Sequence, residues 1–105
     1  MSNVINERTS AYLTVVFRDR NGAPATPTAL SYRIDCLSTS TEILAPTALA
    51  LASTVEIHLT PTQTRIVSPA NAHEQRRVTV SASYGAADGL NDEYDFVVRN
   101  LSGVT

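Results

Sequence analysis

The sequence predicts an all-β protein of about seven strands, arranged as two antiparallel sheets packed face to face. Three observations predict it. First, the segments Val55-Glu56-Ile57-His58-Leu59, Val78-Thr79-Val80-Ser81-Ala82-Ser83-Tyr84 and Tyr94-Asp95-Phe96-Val97-Val98 alternate strictly. Successive side chains on a strand point to opposite faces, so each segment has one apolar face. Second, Gly, Pro, Asn, Asp and Ser clusters separate such segments along the chain, as turns between short strands require. Third, 105 residues with 43% hydrophobic and 17% charged side chains suit one packed domain, and a seven-stranded sandwich takes about 100 residues.

The elements follow in order. Residues 1–10 are polar and lack periodicity, and they are expected to form an extended N-terminal arm ahead of a sandwich domain over 11–105. The first strand is expected over 11–18, with Leu13, Val15 and Phe17 facing the core. Asp19-Arg20-Asn21-Gly22 reads as a turn in which Gly22 is free to take a positive φ. Pro24 and Pro27 keep 23–28 out of any central strand. The second strand, over 29–37, places Leu30, Tyr32, Ile34 and Cys36 on one face and Ser31, Arg33 and Asp35 on the other.

Residues 38–41 form a turn cluster, and 42–45 a short third strand closed by Pro46. The Ala- and Leu-rich stretch 47–52 fits a helical turn or an irregular strand equally. A strand over 53–60 ends at Pro61, and 62–67 is expected to make one helical turn that plugs the sandwich end with Ile66 or Val67. After a loop over 68–73, the longest strand covers 75–84, a hairpin tip covers 85–92, and the last strand covers 93–101.

Composition narrows the function. The net charge of −2 is small and of the wrong sign for nucleic acid, which is gripped by clustered cations. No apolar run approaches a membrane span. Residues 1–10 do not read as a secretion leader, and the single cysteine permits no internal disulfide, so folding in a reducing cytoplasm is expected. All eight basic residues are arginine. Codon bias in a GC-rich genome explains this most simply; the alternative is the forked contacts that arginine makes at protein interfaces.

No cofactor, metal or catalytic group is expected. His73-Glu74 opens like a zinc-binding His-Glu-x-x-His motif, but Arg77 stands where the second histidine belongs. His58 is remote in sequence. Asp88, Asn91, Asp92, Glu93 and Asp95 cluster at a hairpin tip, yet their spacing is not that of a calcium loop, and the same residues serve a tight turn. Cys36 falls on an apolar strand face, where a thiol acts as a small core residue. The hydroxyl residues lack a nucleophile elbow or a base. Asn100-Leu101-Ser102 fits a glycosylation pattern that means little without secretion. The pair Arg76-Arg77 opens the long strand; one must point outward, and the other is placed to cap the end of the sandwich. A solvated strand end is the default reading of the pair, and contact with an acidic patch on a partner is the sharper alternative. The 23 Ser and Thr residues suit strand faces that are poorly protected against edge pairing.

Two resemblances add to this reading. The run Val55-Glu56-Ile57-His58-Leu59-Thr60-Pro61 followed by Val78-Thr79-Val80-Ser81-Ala82-Ser83-Tyr84 resembles the later half of a fibronectin type III or related immunoglobulin-like domain. The connection is longer than usual, Arg77 stands near the place of the usual tyrosine, and no tryptophan is present. Over nearly the whole chain, Ile5-Asn6-Glu7-Arg8-Thr9, Tyr12-Leu13-Thr14-Val15, Tyr32-Arg33-Ile34-Asp35, Arg76-Arg77-Val78-Thr79-Val80 and Asp92-Glu93-Tyr94 through Asn100-Leu101 are similar to small proteins of tailed-phage and prophage structural gene clusters.

That resemblance implies a non-enzymatic virion protein with an immunoglobulin-like fold. The expected role is a capsid cement or decoration protein on the head exterior, bridging capsomers. A head–tail or tail adaptor is the first alternative, and a carbohydrate-binding or host-adhesion module the second. The expected partner is the major capsid protein or another virion protein, with self-association as an option. The expected contact residues are Val4, Ile5, Glu7 and Arg8 in the arm, Arg76 and Arg77 at the strand opening, and Asp88 and Asp92 at the hairpin.

Overall fold

A computed structural model describes residues 3–19, 21–84 and 89–101. The chain is all-β, with no helix among the described residues. Among the described residues, seven strands run in the order β1 (Asn3–Asn6), β2 (Ala11–Val16), β3 (Ala29–Cys36), β4 (Thr41–Ala48), β5 (Thr54–Leu59), β6 (His73–Ser83) and β7 (Gly89–Arg99). They form a five-stranded sheet, β1-β7-β6-β3-β4, and a two-stranded sheet, β2-β5.

The core lies between the two sheets. Val15, Phe17, Val55, Ile57 and Leu59 of the small sheet cluster with Leu30, Ile34, Val78, Val80, Phe96 and Val98 of the large one. These are the inward positions of each strand: β5 alternates exposed and buried without a break, and β6 alternates buried with exposed or half-buried residues from Glu74 to Ala82. Cys36 is fully buried and free, as expected of a core thiol.

The pairing departs from the expected all-antiparallel arrangement. β1 runs parallel to β7, from Asn3 beside Phe96 to Asn6 beside Arg99, so the large sheet is mixed. The part of the arm expected to be extended is therefore an edge strand. Its last turn, through Arg8 at φ 54°, redirects the chain across to the small sheet.

Three local expectations also change. The third strand is not closed by Pro46 but continues through it to Ala48. This is tolerated because β4 is an edge strand, where the missing N–H of proline can face solvent. The single helical turn expected over 62–67 sits earlier, where the Thr64 N–H reaches the Thr60 carbonyl at 3.0 Å, and nothing propagates it into a helix. Ile66 still plugs the sandwich end, at 4% exposure. The last strand begins earlier than expected, at Gly89 and not at 93, and the rest of the expected hairpin tip, 85–88, lies outside the described residues.

Candidate functional site

Three features carry the chemistry of the chain: a polar lock at one end, a charge row on the outer face of the large sheet, and an open flank beside β2.

The lock begins on β6. Glu74 and Arg76 share the inward parity of Val78, Val80 and Ala82, so alternation carries two charged side chains to the end of the core. Both are fully buried. The Glu74 Oε1 accepts from Arg76 Nη2 at 2.8 Å and from the Val67 N–H at 2.8 Å. Its Oε2 accepts from the Ser68 N–H at 2.9 Å and from the Asn71 amide at 3.0 Å. Arg76 donates onward to the carbonyls of Gln63, at 2.8 Å, and Arg65. The pair thus ties residues 63–71, which have no ladder of their own, to the sheet. Burial alone would raise the Glu74 pKa, but the Val67, Arg76, Ser68 and Asn71 donors together outweigh it and lower it to about 2.

Further buried polar groups close the same end. Thr64 donates to the Thr9 carbonyl at 3.0 Å. Glu7 is 1% exposed, and its Oε1 accepts the Leu101 N–H at 2.7 Å. The Glu7 backbone N–H reaches the Arg99 carbonyl at 2.9 Å. Asn100 donates to the Asn71 carbonyl at 2.9 Å. The two ends of the described chain and the 63–71 segment are therefore joined through side chains.

The charge row crosses four strands. Arg33 holds Asp35 through a two-pronged contact at 2.8 and 2.9 Å and reaches Glu42 at 3.0 Å. Arg77 holds Asp95 through a similar fork at 2.8 and 3.1 Å and reaches Glu93 at 3.2 Å. The Arg77 hydrogen bond holds the Asp95 carboxyl below its usual value, and Asp35 raises the Arg33 guanidinium. Four carboxylates against two arginines leave this row acidic.

The open flank lies where β2 borders β1 and β7. A cleft of about 330 Å³ opens there between the sheets, with Ile5, Leu13, Leu59, Tyr94 and Phe96 among its walls. On the outer side of β2, Tyr12 is 62% exposed and Val16 is 45% exposed. Tyr12 stacks on its cross-strand neighbour His58, with ring centroids 4.7 Å apart and planes within 10°. Burial, followed by a 3.0 Å hydrogen bond to Asp92, raises the Tyr94 phenol.

The expected contact residues fall into separate places. Val4 is exposed at 59%, and Ile5 lines the cleft. Arg8 is exposed at its turn. Arg77 is on the outer face and only partly covered. Asp92 is exposed at the edge of β7. Arg76 and Glu7 are internal, and each is engaged by groups of its own chain. Arg76 is the member of the pair that turns inward to cap the sandwich end, and Arg77 the one that points outward. Asp88 lies outside the described residues. No group of three or more His, Cys, Asp or Glu side chains suited to a metal occurs among the described residues.

Sequence reasoning missed Glu74, Thr64, Asn100 and the Tyr12–His58 stack. The signal for Glu74 was present: positions 74 and 76 continue the parity of 78, 80 and 82, and an inward acid beside an inward arginine implies a pair.

Comparison with protein-family models, curated proteins and solved structures returns no match to this chain.

Proposed function

We propose that the chain is a non-enzymatic virion structural protein of immunoglobulin-like fold, acting as a cement protein that binds the head exterior and bridges capsomers. The strand order supports the fold reading. Naming β2, β3, β5, β6 and β7 as strands B, C, E, F and G puts B with E in one sheet and C, F and G in the other, as such domains do. β1 then pairs with the last strand, and β4 extends the large sheet.

One observation carries the functional reading. The buried polar side chains are engaged in closing one end of the body, while Val4, Tyr12 and Val16 stand exposed on its strands. A body locked from within presents rigid strand surfaces, and Tyr12 and Val16 on one face of β2 give them an apolar contact for a larger surface. A shell of many identical sites multiplies a modest contact.

Co-sedimentation with shells stripped of accessory proteins tests this. Saturation at hundreds of chains per shell is the cement result. Saturation at about one ring, roughly a dozen copies, is the adaptor result and overturns cement.

Tyr12 favours a second reading, a carbohydrate-binding module, because an exposed ring can stack on a sugar. The His58 ring already shields one face of Tyr12, which leaves a single free face and no broad platform. Glycan-array binding that is lost in Tyr12→Ala selects this reading; an array without signal rejects it.

A further inference from the structure

The four strands at sheet edges are not equally guarded. β1 is four residues long. β4 carries Glu42 and Pro46 and has shifts in its register with β3. β5 carries Glu56 at the centre of its outward face. Short length, proline, irregularity and charge each discourage a further strand from joining. β2, with the sequence Ala-Tyr-Leu-Thr-Val-Val, has none of these.

The phase of β2 follows from one hydrogen bond. The Phe17 N–H donates to the Ser53 carbonyl at 2.7 Å, in line with the register that pairs Val15 with Val55 and Leu13 with Ile57. Antiparallel neighbours alternate between bonded and non-bonded pairs. The odd residues of β2 therefore bond to β5, and Tyr12, Thr14 and Val16 turn their backbone N–H and C=O groups to the open side. Their side chains are the exposed ones.

We propose that this edge pairs with the β2 edge of a second copy, antiparallel, with Thr14 opposite Thr14 on the two-fold axis. In that register Tyr12 of each copy faces Val16 of the other, an aromatic–β-branched pair of the kind that stabilises sheets. Both exposed apolar residues of β2 are covered at once. The His58–Tyr12 spacing of 4.7 Å is that of neighbouring strands, so Val16 of the second copy takes the next rung on the free face of Tyr12. No charge on either β2 meets a like charge. The two Glu56 side chains stand three strand spacings apart, about 14 Å, beyond the screening length in physiological salt. The same pairing on the β5 edge would set Glu56 against Glu56. The small sheets of two copies thus become one four-stranded sheet, β5-β2-β2-β5, and the second copy lies across the mouth of the cleft beside Leu13.

The contact is small. Six residues at about 3.4 Å each make a line about 20 Å long. Against the 20 Å short axis of the molecule, this covers roughly 400 Å² per copy, half of the standard interface. The dimer is accordingly weak in free solution, and because it covers Tyr12 and Val16 it competes with any shell contact made through those two residues.

Sedimentation velocity of the full chain from about 10 µM to about 1 mM reads the association directly. The expected result is a concentration-dependent shift from monomer to dimer. Thr14→Lys, which sets two cations face to face on the axis, should weaken association at least about tenfold with an unchanged melting temperature, because position 14 is exposed. Thr14→Cys should give a reducible dimer under mild oxidation, since the Cα atoms of a bonded pair lie about 5.5 Å apart, within disulfide range. The equally exposed Thr62→Cys should not. A wild-type chain that stays monomeric across the range overturns the proposal. So does a dimer that survives Thr14→Lys.

Discussion

Glu74 and Arg76 meet at 2.8 Å with both side chains fully buried, two residues apart on one strand. The strand's alternation turns both inward together, and the 63–71 segment folds over them. Removing one partner leaves a charge in the core. Arg76→Leu is expected to cost about 3–5 kcal/mol, the usual loss when a buried pair is broken. The Glu74→Leu/Arg76→Leu double variant should be less unstable than the sum of the singles, by about 1–3 kcal/mol of coupling. It should not recover wild-type stability, because the Gln63 and Arg65 carbonyls and the Val67 and Ser68 amides lose their partners. Urea unfolding of the four proteins measures each value.

Acid should unfold the protein in a defined window. Glu74 titrates at about 2 in the folded chain against an ordinary 4.5. A lowered folded pKa contributes stability that is present above the unfolded value and is lost as pH falls toward the folded one. The loss should run from about pH 4.5 down to about pH 2 and amount to about 3 kcal/mol from this group. Stability measured by urea at intervals of pH should fall across that window, and Glu74→Gln should flatten the fall.

Arg76 and Arg77 are chain neighbours with opposite fates, because alternation sends one into the core and the other out. Arg77 bonds Asp95 and Glu93 on the outer face, where water and salt screen the contact. Arg77→Ala should leave the urea midpoint near that of the wild type, whereas Arg76→Ala should move it far lower. High salt should abolish the small effect of Arg77→Ala and leave that of Arg76→Ala in place.

The turn between β3 and β4 holds Ser40 at φ 53°, a conformation that favours glycine. Relief of the side-chain clash outweighs the extra freedom that glycine gives the unfolded chain, so Ser40→Gly should stabilise the protein by about 0.5 kcal/mol. A higher thermal midpoint in calorimetry checks it.

Much of this structure was legible from parity. Leu13, Val15 and Phe17, or Val78, Val80 and Ala82, announce an inward face because β-strands repeat every two residues. The same rule extended back to Glu74 and Arg76 would have exposed the lock, but charged residues invite an outward reading. β1 was not legible: four residues show no reliable period, and its partner β7 lies some ninety positions away in the sequence. The continuation of β4 through Pro46 also depends on tertiary placement, because only an edge position excuses the proline. The Tyr12–His58 stack needed the β2–β5 register, which no local pattern encodes.

The central claim is that this chain works by contact on a virion shell. A reconstruction of virions purified from the strain that encodes the chain, with the chain's density fitted and counted, tests that claim most directly. The account predicts hundreds of copies on the head exterior, each bridging adjacent capsomers. Virions that lack the chain, or that hold it only as one ring at the portal vertex or tail, would contradict it.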